Sequence, residues 1–406
     1  MERYLEDHHQ TLIRQVRDFA TEAIDPVAGE LDAEARFPWE NVKAMAEMGL
    51  LGLTVPEQYG GGGKDALSLL LVVQELARHD ASHAITVSAH SGLGTAPILR
   101  FGSDAQKERI LPLLARGEVL AGFGLTEPGA GSDASGTRTR AERRPEGGWR
   151  LDGSKVFITH AGVGEVFTVT AVTEPGAGTR GISSFIVTKP TTDPDRARDV
   201  GMGSAEPLGY TPGVRAGKKE DKLGWRASDT RELVLENADV PEANLLGEEG
   251  QGFVNFMKIL DSGRVGLASL ALGLAEGALD VALRFTSDRT QFGRKLIDFQ
   301  PVQFRLADLA TEVEAARHLT YHAAWLMERG RPFTKEAAMA KLFASELSMR
   351  ATREAVQVMG AAGYTDAYPV ERMLRDAKIC EIGEGTSEIQ RIVIGRRLLR
   401  EAFANA

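Results

Sequence analysis

The sequence predicts an α+β chain of several packed regions, in the order helical, β, helical. Three observations predict it. The 406 residues exceed what one ordinary domain holds. The apolar period shifts from helical to strand-like near residue 121 and back to helical near residue 250. The strand-like stretch is also broken by Gly, Pro and Asp, as turns between short strands require.

Residues 1 to about 120 read as helices. "LIRQVRDFATEAI" sets Leu12, Val16, Phe19, Ala20 and Ile24 at helical spacing, and "ALSLLLVVQELAR" is a second, apolar-rich helix. "VPEQYGGGG" is a turn-forming break between them. From 121 to 238, "WRLDGSKVFIT", "EVFTVTAV" and "ISSFIVT" carry β-branched and aromatic residues and predict a small β domain joined by hairpin-type turns. Within it, Thr191 to Tyr210 is polar and rich in Gly, Pro and Asp, which predicts a mobile surface loop. From 239 to 406 the chain is helical again. A long helix carries Gly263, Gly266, Ala268, Ala271, Gly273 and Ala275, and helices follow near Val302–Arg329, Lys335–Met359 and Ser387–Phe403. Short connections between them predict a bundle.

Composition narrows the function. Hydrophobic content of 43% and charged content of 26% suit a chain that fills a core. A formal net charge of -9 argues against a partner rich in nucleic acid phosphate. One cysteine, Cys380, excludes an intrachain disulfide framework and fits a reducing compartment. The first residues, "MERYLEDHHQ", have no apolar signal core, and their acids argue against a transit peptide. No uninterrupted apolar run reads as long enough to span a bilayer, so no membrane is expected and a cytoplasmic location is. No G-x-G-x-x-G follows a strand, and no Walker-type loop is present. His79/His83 and His318/His322 have i,i+4 spacing without an evident third ligand, so no metal is expected.

Four stretches carry chemistry. "GFGLTEPGAGSDASG" combines Thr126 and Ser132 hydroxyls with glycines that let a planar, hydrogen-bonding ligand approach, and it suits a tight turn equally well. "SKVFITHAG" sets Phe157 and Thr159 on one face of a strand, as a flat ring with polar edges or an ordinary core would need. "DRTQFGRKLIDFQPVQF" holds Arg289, whose planar fork suits a diphosphate and whose charge suits solvent. In "KICEIGEGTSEIQRIVIGRR", Glu384 stands between two glycines at the mouth of a helix. It is either an acid favoured by the helix N-terminus or a base reaching a substrate through a gap without side chains.

Taken in order, "LTEPGAGSD", "VFIT", "DRTQFGRKL", "QVMGAAGY", "YPVERMLRDAKI" and "EGTSEIQR" closely resemble the acyl-CoA dehydrogenase family, and "TVPEQYGG", "FGSDAQKERILPLLARGE" and "GKKEDKLGWRASDT" support the likeness. It extends from about Leu5 to Arg400. The resemblance implies an N-terminal helical domain, a small β-barrel-like middle domain and a C-terminal four-helix bundle, assembled as a homotetramer (a dimer of dimers) with FAD. It implies that Phe123, Leu125, Thr126 and Ser132 line the flavin from one loop, and Phe157, Ile158 and Thr159 from a strand. Arg289, Phe292, Gln300, Gln357, Val358, Gly360 and Ala361 would hold the pyrophosphate and adenosine of a neighbour's FAD, with Thr386 and Glu388 contributing from the last helix. Ser132, Asp261, Arg264 and Gly385 would contact the acyl-CoA substrate.

The activity implied is α,β-dehydrogenation of an acyl-CoA thioester, as in fatty acid β-oxidation. Glu384 would take the α-proton, the β-hydride would pass to flavin N5, and an electron-transfer flavoprotein would receive the electrons. "VSAHSGLGTAPILRFG" resembles the short-chain, butyryl-type branch. Gly383 stands where many members carry Tyr, which predicts a wider pocket. Phe157 replaces a frequent Trp, and Gly263 disfavours the isovaleryl-like placement of the base on the helix before Arg264. An acyl-CoA oxidase, a glutaryl-type decarboxylating enzyme and a nucleic-acid-binding flavoprotein relative are the alternatives.

Overall fold

A computed structural model describes residues 4–193 and 202–403. Seven helices open the chain: α1 (Asp7–Phe19), α2 (Asp25–Glu34), α3 (Trp39–Glu47), α4 (Ala66–Ala77), α5 (Ala81–Ser88), α6 (Ala96–Phe101) and α7 (Asp104–Ala115). Caps set several of these starts. Asp65 accepts from the Ser68 N–H at 2.7 Å to begin α4, and Ser103 with Gln106 closes a capping box on α7. Between α5 and α6 the backbone widens into a π-helical turn, Ala89–Thr95. This irregular turn falls inside "VSAHSGLGTAPILRFG", and such widenings are frequent at functional sites.

The middle region is a seven-stranded sheet of β1 (Ala121–Gly124), β2 (Arg140–Arg143), β3 (Trp149–Thr159), β4 (Val166–Val172), β5 (Ile182–Thr188), β6 (Val214–Lys219) and β7 (Thr230–Val240). The strands run β1-β4-β2-β3-β7-β6, with β5 on β4. The pairs β2–β3, β4–β5 and β6–β7 are antiparallel, as hairpin turns require. β1, by contrast, pairs parallel with β4, with Phe123 opposite Thr168, a pairing that the hairpin reading did not contain. Residues 194–201 of the Thr191–Tyr210 segment lie outside the described residues. Its described flanks are fastened down: Thr192 N–H donates to the Gly162 carbonyl at 2.9 Å, and Glu165 accepts from Ala205 N–H at 2.7 Å and Tyr210 OH at 3.0 Å.

The rest is helical: α8 (Gly252–Asp288), a short hairpin of β8 (Thr290–Gln291) and β9 (Arg294–Lys295), α9 (Gln300–Glu328), α10 (Thr334–Met359), α11 (Val370–Cys380) and α12 (Ser387–Phe403). α8 is long and apolar enough, by length and composition, to cross a membrane, although no such run was expected. In the fold 89% of its apolar stretch is buried inside the protein. Its small residues explain the closeness: a Cβ at Gly273 or Gly277 would overlap the backbone of Gln74 or Arg78. One hydrophobic core therefore joins α1–α5 to α8–α11, and a second, around Trp149, Phe167 and Phe185, lies within the sheet.

Candidate active site

Glu384 sits in the turn between α11 and α12 with φ at 53°, in the left-handed region that a non-glycine residue enters at a cost. Gly385 follows at φ 95°. Two donors hold this turn by one oxygen: Lys341 Nζ from α10 and Gln390 Nε2 from α12 each donate to the Gly385 carbonyl at 2.7 Å. Gln390 also donates to the Glu384 carbonyl at 3.3 Å. The glycines of "GEG" thus serve the backbone as well as the space around it.

The carboxylate points inward. Glu384 is half-buried as a residue, yet its Oε2 is fully covered and has no hydrogen-bond partner among the described residues. Burial raises its pKa to about 7, against the opposing charges of Lys341 and then Arg264. Its backbone N–H donates to no group among the described residues either. Gly263 on α8 makes the room: a Cβ there would overlap Oε2 and press on Leu93, which comes from the π-helical turn. The next residue, Arg264, is 7% exposed, pairs with Asp261 at 2.6 Å and leaves its Nε unpartnered. Asp261 also accepts from Thr334 at 2.7 Å. Asp261, Arg264, Glu384 and Gly385 are therefore brought together, whereas Lys341 and Gln390 were not anticipated.

The loop after β1 and the end of β3 lie side by side, since Val156 N–H donates to the Thr126 carbonyl at 2.8 Å. Phe157 is 66% exposed with φ at 58°, at a shift in the β3–β7 register. Thr159 and Thr126 are half-buried beside it. Ile158 differs from the rest of its set: it is 2% exposed and packs within the sheet core. Leu125 is buried, Ser132 is exposed, and Phe123 stacks on Phe256 of α8 at 4.1 Å between ring centroids. An exposed aromatic ring flanked by hydroxyls and free of bulk at Gly129 and Gly131 fits the flat, polar-edged ring system of FAD.

Of the remaining set, the residues near the β8–β9 hairpin and at the end of α10 do not line the Glu384 turn, whereas Thr386 and Glu388 directly follow it. Arg289, Phe292 (93% exposed) and Gln300 lie on and beside the β8–β9 hairpin. Gln357, Gly360 and Ala361 are exposed at the end of α10, with Val358 half-buried. Thr386 precedes α12 and accepts from the Ile389 N–H, and Glu388 lies in its first turn; Thr386 is half-buried and Glu388 exposed. A cavity of about 1330 Å³ is lined by Arg289, Arg17, Arg284 and Arg372 and by no residue of the Glu384 turn.

The family models for acyl-CoA dehydrogenase match three successive stretches: the N-terminal domain over residues 6–118, the middle domain over 122–238 and the C-terminal domain over 250–399. The chain belongs to the acyl-CoA dehydrogenase family. An acyl-CoA dehydrogenase of Bacillus subtilis is 47% identical over 96% of this chain and 98% of its own. The butyryl-CoA dehydrogenase of Megasphaera elsdenii is 44% identical, with a TM-score of 0.90 over 98% and 99% of the two chains. A chain solved in work on the electron transferring flavoprotein of Acidaminococcus fermentans is 43% identical, with a TM-score of 0.91 over 98% and 99%. This dehydrogenase is thus an oxidoreductase with FAD as its cofactor.

Proposed function

We propose that the enzyme dehydrogenates a short-chain acyl-CoA thioester to the trans-2-enoyl-CoA, with Glu384 as the base. The observation that carries this is the covered, unpartnered Oε2 of Glu384, raised by burial to a pKa of about 7. A general base works best when its proton affinity lies near the working pH. The unengaged N–H of Glu384 is suited to the thioester carbonyl, where enolate charge develops as the α-proton leaves. FAD, when bound, supplies the hydride acceptor. Phe157, Thr159, Thr126, Phe123, Leu125 and Ser132 orient it, and the turn at 384–385 excludes water from the proton's path.

The finer assignments are ours as well. Asp261 and Arg264 take the CoA part with Ser132 and Gly385. Arg289, Phe292, Gln300 and the 357–361 turn serve a neighbour's cofactor in a homotetramer, which suits their exposure away from Glu384. Thr386 and Glu388 assist from α12. An electron-transferring flavoprotein accepts the electrons in a cytoplasmic setting, within fatty acid β-oxidation. The units run 1–120, 121–238 and 239–406. The likeness to a butyryl-CoA dehydrogenase supports the chain length. Anaerobic titration of the purified flavoprotein with butyryl-, octanoyl-, isovaleryl- and glutaryl-CoA tests the reading: butyryl-CoA should bleach the flavin, and a protein bleached by none of them would overturn it.

A further inference from the structure

Lys341 plays no part in the chemistry above, yet it is 0% exposed in the middle of α10. A buried ammonium is costly unless its donors are met. Its one hydrogen bond among the described residues goes to the Gly385 carbonyl, at 2.7 Å. That same oxygen is held at 2.7 Å by Gln390. A left-handed glutamate persists only where its surroundings over-determine it. Here the determination comes from two helices converging on the oxygen of the next residue.

We propose that Lys341 is a positioning residue for Glu384: from α10 it pins the left-handed turn that aims the carboxylate, and it faces that carboxylate with a positive charge. The inference rests on Glu384 being the base. The groups facing this pair are Arg264 from α8, Cys380 and Glu381 at the end of α11, and Glu388 from α12. Burial pushes the Cys380 thiol up to about 12, so it stays neutral at physiological pH. Burial pulls Lys341 down to about 8, which leaves it mainly charged at pH 7. Of the two cations opposing the burial of Glu384, Lys341 acts more strongly than Arg264. No ion pair joins Lys341 to Glu384 among the described residues, so the charge acts without direct contact and leaves Oε2 unpartnered.

The test is the pH dependence of kcat/KM for butyryl-CoA in the FAD-loaded enzyme and its Lys341→Met, Lys341→Gln and Lys341→Arg variants. Removing the cation stabilises protonated Glu384, so the acid limb should move up by about one pH unit in the Met and Gln variants. Arg should return the limb towards its original place. Infrared difference titration of the Glu384 carboxyl, against Glu384→Gln, should show the same shift without turnover. If the Met variant does not fold, Lys341→Gln still removes the charge while keeping a donor for the Gly385 carbonyl. An unmoved limb and carboxyl band with a uniform loss of rate would make Lys341 merely structural and overturn the proposal. Turnover in Glu384→Gln would overturn the base reading and this inference with it. An inactive Glu384→Gln beside an unmoved limb overturns only the role of Lys341.

Discussion

Two buried glutamates in this molecule meet opposite fates. Glu127, within the loop that follows β1, accepts from Lys155 Nζ at 2.6 Å, from the Thr139 hydroxyl at 2.6 Å and N–H at 3.1 Å, from Thr137 at 3.1 Å and from the Arg138 N–H at 2.6 Å. Burial works to raise its pKa, but Lys155 and these donors hold it down to about 2. Glu384 faces two cations as well, yet its Oε2 accepts from no group among the described residues, and burial wins. A cation in direct contact, backed by further donors, outweighs burial at Glu127, whereas two cations without contact do not outweigh it at Glu384. The first glutamate is spent on holding the sheet beside the flavin loop, and the second is left able to take a proton.

The sharpest way to break this contrast is to neutralise each acid. Glu384→Gln should lower kcat by about 10²–10⁴-fold while the protein remains folded and yellow, as measured by turnover and flavin absorbance. It should also gain stability. The Glu384 carboxyl titrates from 4.5 unfolded to about 7 folded, so stability falls as pH rises through that interval and stays lower above it. Glutamine escapes this loss, and urea unfolding at pH 8 should favour the variant by on the order of 2 kcal/mol.

Glu127→Ala should do the reverse. It leaves Lys155 buried and uncompensated, a change that costs about 3–5 kcal/mol, which chemical denaturation would read as a lower midpoint. Because the pKa of Glu127 is depressed in the fold, its contribution is present above 4.5 and is lost as pH falls towards about 2.

Gly263→Ala tests the space around the reactive acid. Its Cβ would collide with Oε2, and a displacement near 1 Å costs about 10²-fold in rate, while alanine favours the helix by about 1 kcal/mol. Activity should fall without a lower melting temperature. The smallest effect belongs to Gly383→Tyr. A Cβ there meets nothing nearer than the Ile379 carbonyl at 3.4 Å, so a side chain can leave the backbone without a clash. Steady-state kinetics across chain lengths should show longer or branched esters losing about tenfold relative to butyryl-CoA.

Much of this was legible in the residues, because long elements announce themselves by period. The expected helix Lys335–Met359 is Thr334–Met359 in the fold, and Val302–Arg329 is Gln300–Glu328. Glu384 was legible because a lone acid between glycines is a local pattern. The parallel pairing of β1 with β4 was not, since it joins segments that no turn connects. Nor were the left-handed angles of Phe157 and Glu384, which tertiary contacts impose on residues that do not prefer them. Lys341 was missed for a different reason: a lysine in a helix reads as a surface residue. Its spacing held the clue, since Ala337, Ala338, Ala344, Ser345 and Ser348 lie on the same buried face.

Gln390 turns the last helix into a rein on the reactive acid. Ile392, Leu398, Leu399 and Phe403 are exposed on that helix, and the first of them is only two residues beyond the amide that grips the oxygen of Gly385. Pressure on those side chains would reach the Glu384 turn through that amide, and clipping the chain before residue 390 would leave Lys341 as the one side-chain donor to the Gly385 carbonyl among the described residues.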